Sequence, residues 1–113
     1  MQQIYTNFQY WAYRDRAILM TSNGHGALII DFITELDDAL LWSLSVDPEF
    51  RDLGLGTALL EEAEYLCRGR AVKRIVLDWD ERNSEKWVLH WYKRLGFTEL
   101  QSNPYGVTLT KCL

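Results

Sequence analysis

The sequence predicts an α/β (α+β) fold, a sheet flanked by helices, on three observations. Short runs rich in β-branched and aromatic residues alternate with turn signals early in the chain. Two later segments carry apolar residues at helical spacing. Between them, Leu44 to Thr57 reads LSVDPEFRDLGLGT: a short apolar strand, a Pro-marked turn, and a basic, glycine-rich loop opening a helix. With 113 residues, 48% of them hydrophobic, the expected organisation is one domain over 1–113 with one core.

The elements follow in order. Ile4–Tyr13 and Ala17–Thr21 read as strands, and Asn23-Gly24-His25-Gly26 is a hairpin turn into a strand Ala27–Thr34. Glu35-Leu36-Asp37-Asp38 turns again into the strand Ala39–Val46. After the glycine loop, Ala58, Leu59, Ala63, Leu66 and Cys67 recur at helical spacing to about Gly69. The strand Arg74–Trp79 follows, then a helix from about Ser84 to Leu95 with Val88, Trp91, Tyr92 and Leu95 on one face. Phe97–Gln101 and Tyr105–Thr110 finish as strands around Asn103-Pro104. Nothing before Gly54 has helical period.

Charge and cysteine usage exclude several classes. The formal charge is -4 and the pI about 5.1, with no polybasic run, which disfavours a nucleic-acid partner because such binding is dominated by phosphate neutralisation. Cys67 and Cys112 give no disulfide framework, and the N-terminus lacks a signal-peptide layout, so a reduced, cytoplasmic protein is expected. No apolar run approaches the ~20 residues that span a bilayer, so no membrane partner is expected. His25 and His90 lack a metal-ligand partner at useful spacing and read as surface residues, so no metal is expected. Glu61, Glu62 and Glu64 read as a solvated helix face. Glu35, Asp37 and Asp38 read either as a polar turn or as the border of an acceptor site.

The glycine loop has the makings of a phosphate site. Gly54 and Gly56 let the backbone approach an anion closely. The first N–H groups of the helix behind them have no internal partner, and with the helix dipole they favour phosphate or pyrophosphate in front of Arg51–Thr57. A Walker loop needs a Lys-Ser/Thr pair after its last glycine, where this chain has Thr57 and Ala58. Gly54-Leu55-Gly56 also lacks the third glycine of the dinucleotide fingerprint.

Downstream lies Trp91-Tyr92-Lys93-Arg94-Leu95-Gly96-Phe97, a helix end closed by a glycine before a strand. The series strand, Val46-x-Pro48, Arg51-x-x-Gly54-x-Gly56, helix, strand, helix, Tyr92-x-x-x-Gly96-Phe97 resembles the GNAT superfamily of acetyl-CoA-dependent acyltransferases. The resemblance covers roughly Leu41 to Phe97, about half the chain. It implies a mixed, mostly antiparallel sheet, with coenzyme A bound by Arg51, Asp52, Leu53, Gly54, Leu55, Gly56 and Thr57. The same resemblance implies that Leu44, Ser45 and Val46 pair with the pantetheine arm and supply an oxyanion donor.

A GNAT fold usually opens with a strand and two helices that wall the acceptor site, and this chain goes straight into strands. The acceptor side is therefore expected to be more open than usual or to be completed by a second subunit. Tyr5, Phe8, Tyr10, Trp11 and Tyr13 offer material for a homodimer interface. The simpler expectation is that they pack on their own sheet.

The implied chemistry is attack of an amine on a thioester. An alkyl amine with a pKa near ~10 must lose a proton before or during attack, and the tetrahedral oxyanion needs a donor. The leaving thiolate, with a pKa around ~8.5, departs more easily if a hydroxyl protonates it. Tyr92 holds the family's position for that hydroxyl, although its place on an apolar helix face equally fits a core tyrosine. Many members carry a basic Glu where this chain has Trp42. Another branch, similar to the ribosomal-protein N-terminal acetyltransferases, puts a carboxylate five residues before an Asn facing the coenzyme, and Asp78 and Asn83 have that spacing. Asp78 is the leading base and Asp80 the second, with a solvated strand end as the alternative for Asp78. Asn83 to Tyr92 is two residues longer than the family interval, so either the loop Asp80–Ser84 is longer or Glu85 takes the Asn position.

The resulting reading is an N-acetyltransferase that uses acetyl-CoA as cosubstrate and a small amine or peptide as acceptor. Trp42, Trp79 and nearby acids suit a cationic acceptor. A catalytically silent coenzyme A-binding or oligomeric module is the alternative, and a protein or tRNA acyltransferase a weaker one.

Overall fold

A computed structural model describes residues 3–33 and 35–113; the expected strand end at Thr34 lies outside them. Along the chain come β1 (Ile4–Tyr10), β2 (Arg14–Thr21), β3 (Gly26–Ile33), β4 (Asp38–Val46), a 3₁₀ helix (Pro48–Leu53), α1 (Leu55–Gly69), β5 (Arg74–Asp80), α2 (Lys86–Arg94), β6 (Thr98–Asn103) and β7 (Gly106–Cys112). The strands form one seven-stranded sheet in the order β1-β2-β3-β4-β5-β7-β6. Only β4 and β5 are parallel, because α1 crosses over between them.

Strand alternation decides the faces. Ala17 and Leu19 on β2, Leu28, Ile30 and Phe32 on β3, Ile75, Leu77 and Trp79 on β5, and Leu109 on β7 are buried and point to one side. Leu59, Leu60, Ala63 and Cys67 of α1 and Leu89 and Tyr92 of α2 join the same cluster. Both helices therefore lie on one face of the sheet, and among the described residues no helix covers the other. β1 turns directly into β2 through Trp11, whose N–H donates to the Arg14 carbonyl at 2.9 Å. The 3₁₀ helix is the sole helical turn before the glycine loop among the described residues.

Several expectations change. Tyr5, Tyr10, Trp11 and Tyr13 are exposed rather than packed on their own sheet, and of the five aromatics only Phe8 packs against the core. Leu89 is buried on α2, which widens the predicted apolar face. Glu64 is not on a solvated face: it is buried and receives Lys111 Nζ at 3.0 Å. Trp79 is a core residue whose Nε1 donates to the Glu85 carbonyl, so it offers no open ring to an acceptor. Asp38 receives Arg74 at 2.8 Å and Asp37 pairs with Lys73 at 3.4 Å, both at the start of β4. That end lies on the order of 26 Å from Val46 at a strand rise of about 3.3 Å. No helix among the described residues is long and apolar enough to cross a membrane.

Candidate functional site

The site begins where two parallel strands part. β4 pairs with β5 only at Asp38, Ala39 and Leu40 opposite Arg74, Ile75 and Val76. Farther along, β4 still pairs with β3 up to Val46 opposite Gly26, but its other edge faces no strand. Strand alternation turns the Leu44 and Val46 backbone groups to that edge; the Val46 carbonyl accepts from Arg51 Nε at 3.3 Å, and the remaining groups are open to an extended ligand. A bulge between Ile29 and Ile30 in the β3–β4 register leaves Trp42 without a partner of its own and bends β4 there.

β4 leads into the glycine loop through a fixed corner. The Asp47 N–H donates to the His25 carbonyl at 2.8 Å, and His25 Nδ1 lies 2.9 Å from Asp47 Oδ2. The His25 ring stacks on Phe50 with centroids 3.6 Å apart. His25 is thus half-buried and braces the 3₁₀ helix against the end of β3. Gly54 then takes φ +76°, the left-handed region that favours glycine, and serves as N-cap of α1 with no side-chain cap. Ala58 N–H is the first to find an acceptor within the turn, at Gly54 O, so the N–H groups of Leu55, Gly56 and Thr57 remain for an anion.

Between this loop and α2 lies a cleft of about 310 Å³. Leu44, Ser45 and Val46 line one wall, Arg51, Gly54, Gly56 and Thr57 the second, and Asn83, Ser84, Glu85, Trp87, Val88, Trp91 and Tyr92 the third. Eight of the predicted coenzyme-binding residues therefore meet in one place, together with Tyr92. Asp52, Leu53 and Leu55 do not line it: Leu53 is exposed, and Leu55 turns into the interior, 2% exposed. Asn83 and Glu85 both line it.

Burial pushes the Tyr92 phenol up to about 12, so it stays protonated through the neutral range. Its hydroxyl has no hydrogen-bond partner among the described residues, while its ring packs edge-on against Phe97 at 5.4 Å. The Tyr92 ring is packed in the core and the residue still lines the cleft.

The proposed bases stand apart. Asp78 is exposed on the helix-free face of the sheet, where Thr108 Oγ1 donates to its Oδ1 at 2.5 Å, and it is not a wall of the cleft. Asp80 is clasped by Arg82, whose side-chain and backbone hydrogen bonds hold its carboxyl down at about 2. A carboxylate held that low is a weak base. On the same face, Asp31 is completely buried under Arg14, Arg16 and Trp42. Burial alone would raise its pKa, but the hydrogen bonds from Arg16, Arg14 and the Trp42 indole outweigh it and hold the carboxyl below its usual range. No cluster of metal-ligating side chains occurs among the described residues.

Sequence reasoning passed over Ser84, Trp87 and Val88 as cleft residues. The available signal was the i, i+4 spacing of Trp87 and Trp91, which places both indoles on one helix face.

Residues 6–99 match the acetyltransferase (GNAT) domain. The chain belongs to the GNAT family of acetyltransferases. It is 33% identical over 106 residues to the [ribosomal protein bS18]-alanine N-acetyltransferase of Escherichia coli K12, covering 92% of this chain and 64% of that protein. It is 32% identical over 93 residues to the mycothiol acetyltransferase of Beutenbergia cavernae, covering 79% of this chain and 31% of that one. The GNAT chain thus spans less than two thirds of the length of either relative. Its fold matches the PaiA N-acetyltransferase of Thermoplasma acidophilum, crystallised with coenzyme A, at a TM-score of 0.75 and 18% identity over 89% of this chain and 62% of that one.

Proposed function

We propose that this GNAT domain moves an acetyl group from acetyl-CoA to a primary amine by direct attack on the thioester. The observation that carries the reading is the cleft itself, in which the unpaired edge of β4, the open N–H groups ahead of α1, and Tyr92 face one volume. The pantetheine arm extends along Leu44–Val46 as an added strand, and the pyrophosphate sits on the N–H groups at 55–57. The amine nitrogen attacks the acetyl carbonyl, and the oxyanion accepts from a backbone N–H of Leu44–Val46. Collapse breaks the carbon–sulfur bond, and Tyr92 gives the thiolate its proton.

The amine's proton leaves to Asp78 through water, since Asp78 stands outside the cleft. That distance favours an acceptor needing little help. An α-amine has a pKa near 8 and is roughly a tenth free base at neutral pH, whereas a lysine amine near 10.4 is almost wholly charged. The relative whose name specifies an alanine of a ribosomal protein points the same way. The acceptor reading is therefore a peptide or small-molecule α-amine, approaching from the helix-free face past Trp42, which is 58% exposed. A second copy of the chain covering part of that face would make the homodimer, with the exposed aromatics of β1 at its margin. The free thiols of Cys67 and Cys112 fit a reducing, cytoplasmic setting.

One observation favours the rival, a coenzyme A-binding module without turnover: Glu85 is the sole carboxylate lining the cleft among the described residues, and it is bound to Trp87. A screen of amines, peptides and polyamines with acetyl-CoA, read by free thiol release, tests the two. Acceptor-dependent release supports the enzyme; tight coenzyme A binding with no release on any acceptor supports the module.

A further inference from the structure

The outer end of the cleft holds an arrangement the transfer chemistry does not use. Trp87 and Trp91 sit about one helical turn apart on α2, about 6 Å along the axis, and both line the cleft. Trp91 lies against the glycine loop. Trp87 is 44% exposed, and its Nε1 donates to Glu85 Oε2 at 2.7 Å, which ties the edge of the indole. Over that ring stands the Arg51 guanidinium, 5.5 Å from the centroid. Arg51 Nε also donates to the Val46 carbonyl at 3.3 Å, and no carboxylate pairs with Arg51 among the described residues.

A partly exposed indole of fixed plane, with a cation over its ring that has no carboxylate partner among the described residues, fits a ligand bringing both a flat ring and a phosphate. The ring displaces the guanidinium from the indole, and the guanidinium turns to the phosphate. Trp87 lies one helical turn beyond the indole that touches the pyrophosphate loop, the order of a ribose's span. We propose that Trp87 is the stacking seat for the adenine of coenzyme A, with Arg51 as the partner of one of its phosphates. It selects the nucleotide-bearing donor over phosphopantetheine thioesters that lack the nucleotide. The inference rests on coenzyme A being the donor.

Base stacking on an aromatic side chain predicts a loss of about five- to a hundredfold in coenzyme A affinity for Trp87→Ala. The test is calorimetry on wild type, Trp87→Ala and Trp87→Phe with three probes: coenzyme A, adenosine 3′,5′-bisphosphate and 4′-phosphopantetheine. Trp87→Ala is expected to weaken the first two and leave the third unchanged, with Trp87→Phe keeping most of the affinity. Quenching of tryptophan fluorescence by adenosine 3′,5′-bisphosphate should shrink in Trp87→Ala. Unchanged coenzyme A affinity in a folded Trp87→Ala overturns the seat while leaving the donor reading standing, as does an equal loss for 4′-phosphopantetheine. Failure of the wild type to bind coenzyme A overturns the donor reading and this inference with it.

Discussion

The Trp91 indole occupies the space that any side chain on Gly56 would need. A Cβ built at Gly56 lies 3.3 Å from both Cη2 and Cζ2 of Trp91, tighter than ordinary contact. The second glycine of the loop is therefore set by packing against α2, whereas Gly54 is set by its positive φ. The loop and α2 are coupled through this contact, so one substitution there reaches two walls of the cleft.

Gly56→Val forces the loop off Trp91 and narrows the approach to the N–H groups at 55–57. Coenzyme A affinity is expected to fall tenfold or more, a change of about 1.4 kcal/mol or greater. Circular dichroism should stay close to wild type, because Gly56 lies outside the buried cluster. Wild-type affinity in a calorimetric titration would mean that the phosphate site lies elsewhere.

Tyr92→Phe removes only the hydroxyl, which has no partner to leave unsatisfied, and keeps the ring against Phe97. Turnover is expected to drop about ten- to a thousandfold with coenzyme A affinity little changed. The phenol stays protonated to about 12, so the deficit should be constant across neutral pH. Equal turnover of both proteins on a good acceptor would leave Tyr92 a core residue alone.

Asp78→Asn separates base catalysis from positioning by pH. If Asp78 takes the amine's proton through water, the variant loses kcat/KM most at neutral pH and recovers as alkaline pH supplies free amine. A profile parallel to wild type would remove Asp78 from the mechanism and direct attention to a water chain.

Asp31→Ala leaves Arg14, Arg16 and the Trp42 indole without their shared acceptor. Because both arginines keep contact with solvent, the expected cost is at the low end for a broken buried pair, about 3 kcal/mol, measured by urea unfolding. The Asp31 pKa is lowered in the folded state. Its contribution is thus present above the unfolded value of about 3.9 and disappears as pH falls through the folded one. The gap between wild type and Asp31→Asn should close on acidification below about pH 4. A gap that widens there would contradict the assignment.

The glycine loop and Tyr92 were legible in the sequence because local order specifies them: strand, turn, two glycines, amphipathic helix. Asp78 was legible only by half. Strand period put it on the face opposite Leu77 and Trp79, but which face holds the cleft depends on where α1 and α2 pack, a tertiary choice. Trp79 and Glu64 misled for the same reason, one a ring that turned inward and the other an acid whose partner, Lys111, is far along the chain. The four exposed aromatics defied burial statistics because, among the described residues, no helix covers them.

The most direct measurement is a single-turnover assay with acetyl-CoA and a peptide bearing a free N-terminal alanine, following thiol release and peptide acetylation together. The account predicts equal amounts of thiol and acetyl-peptide from the wild type, at least tenfold slower formation of both by Gly56→Val at limiting acetyl-CoA, and no acetylation when the α-amine is blocked. Thiol release without acetyl-peptide, or coenzyme A binding with neither product on this or any other amine, would contradict direct transfer at this cleft.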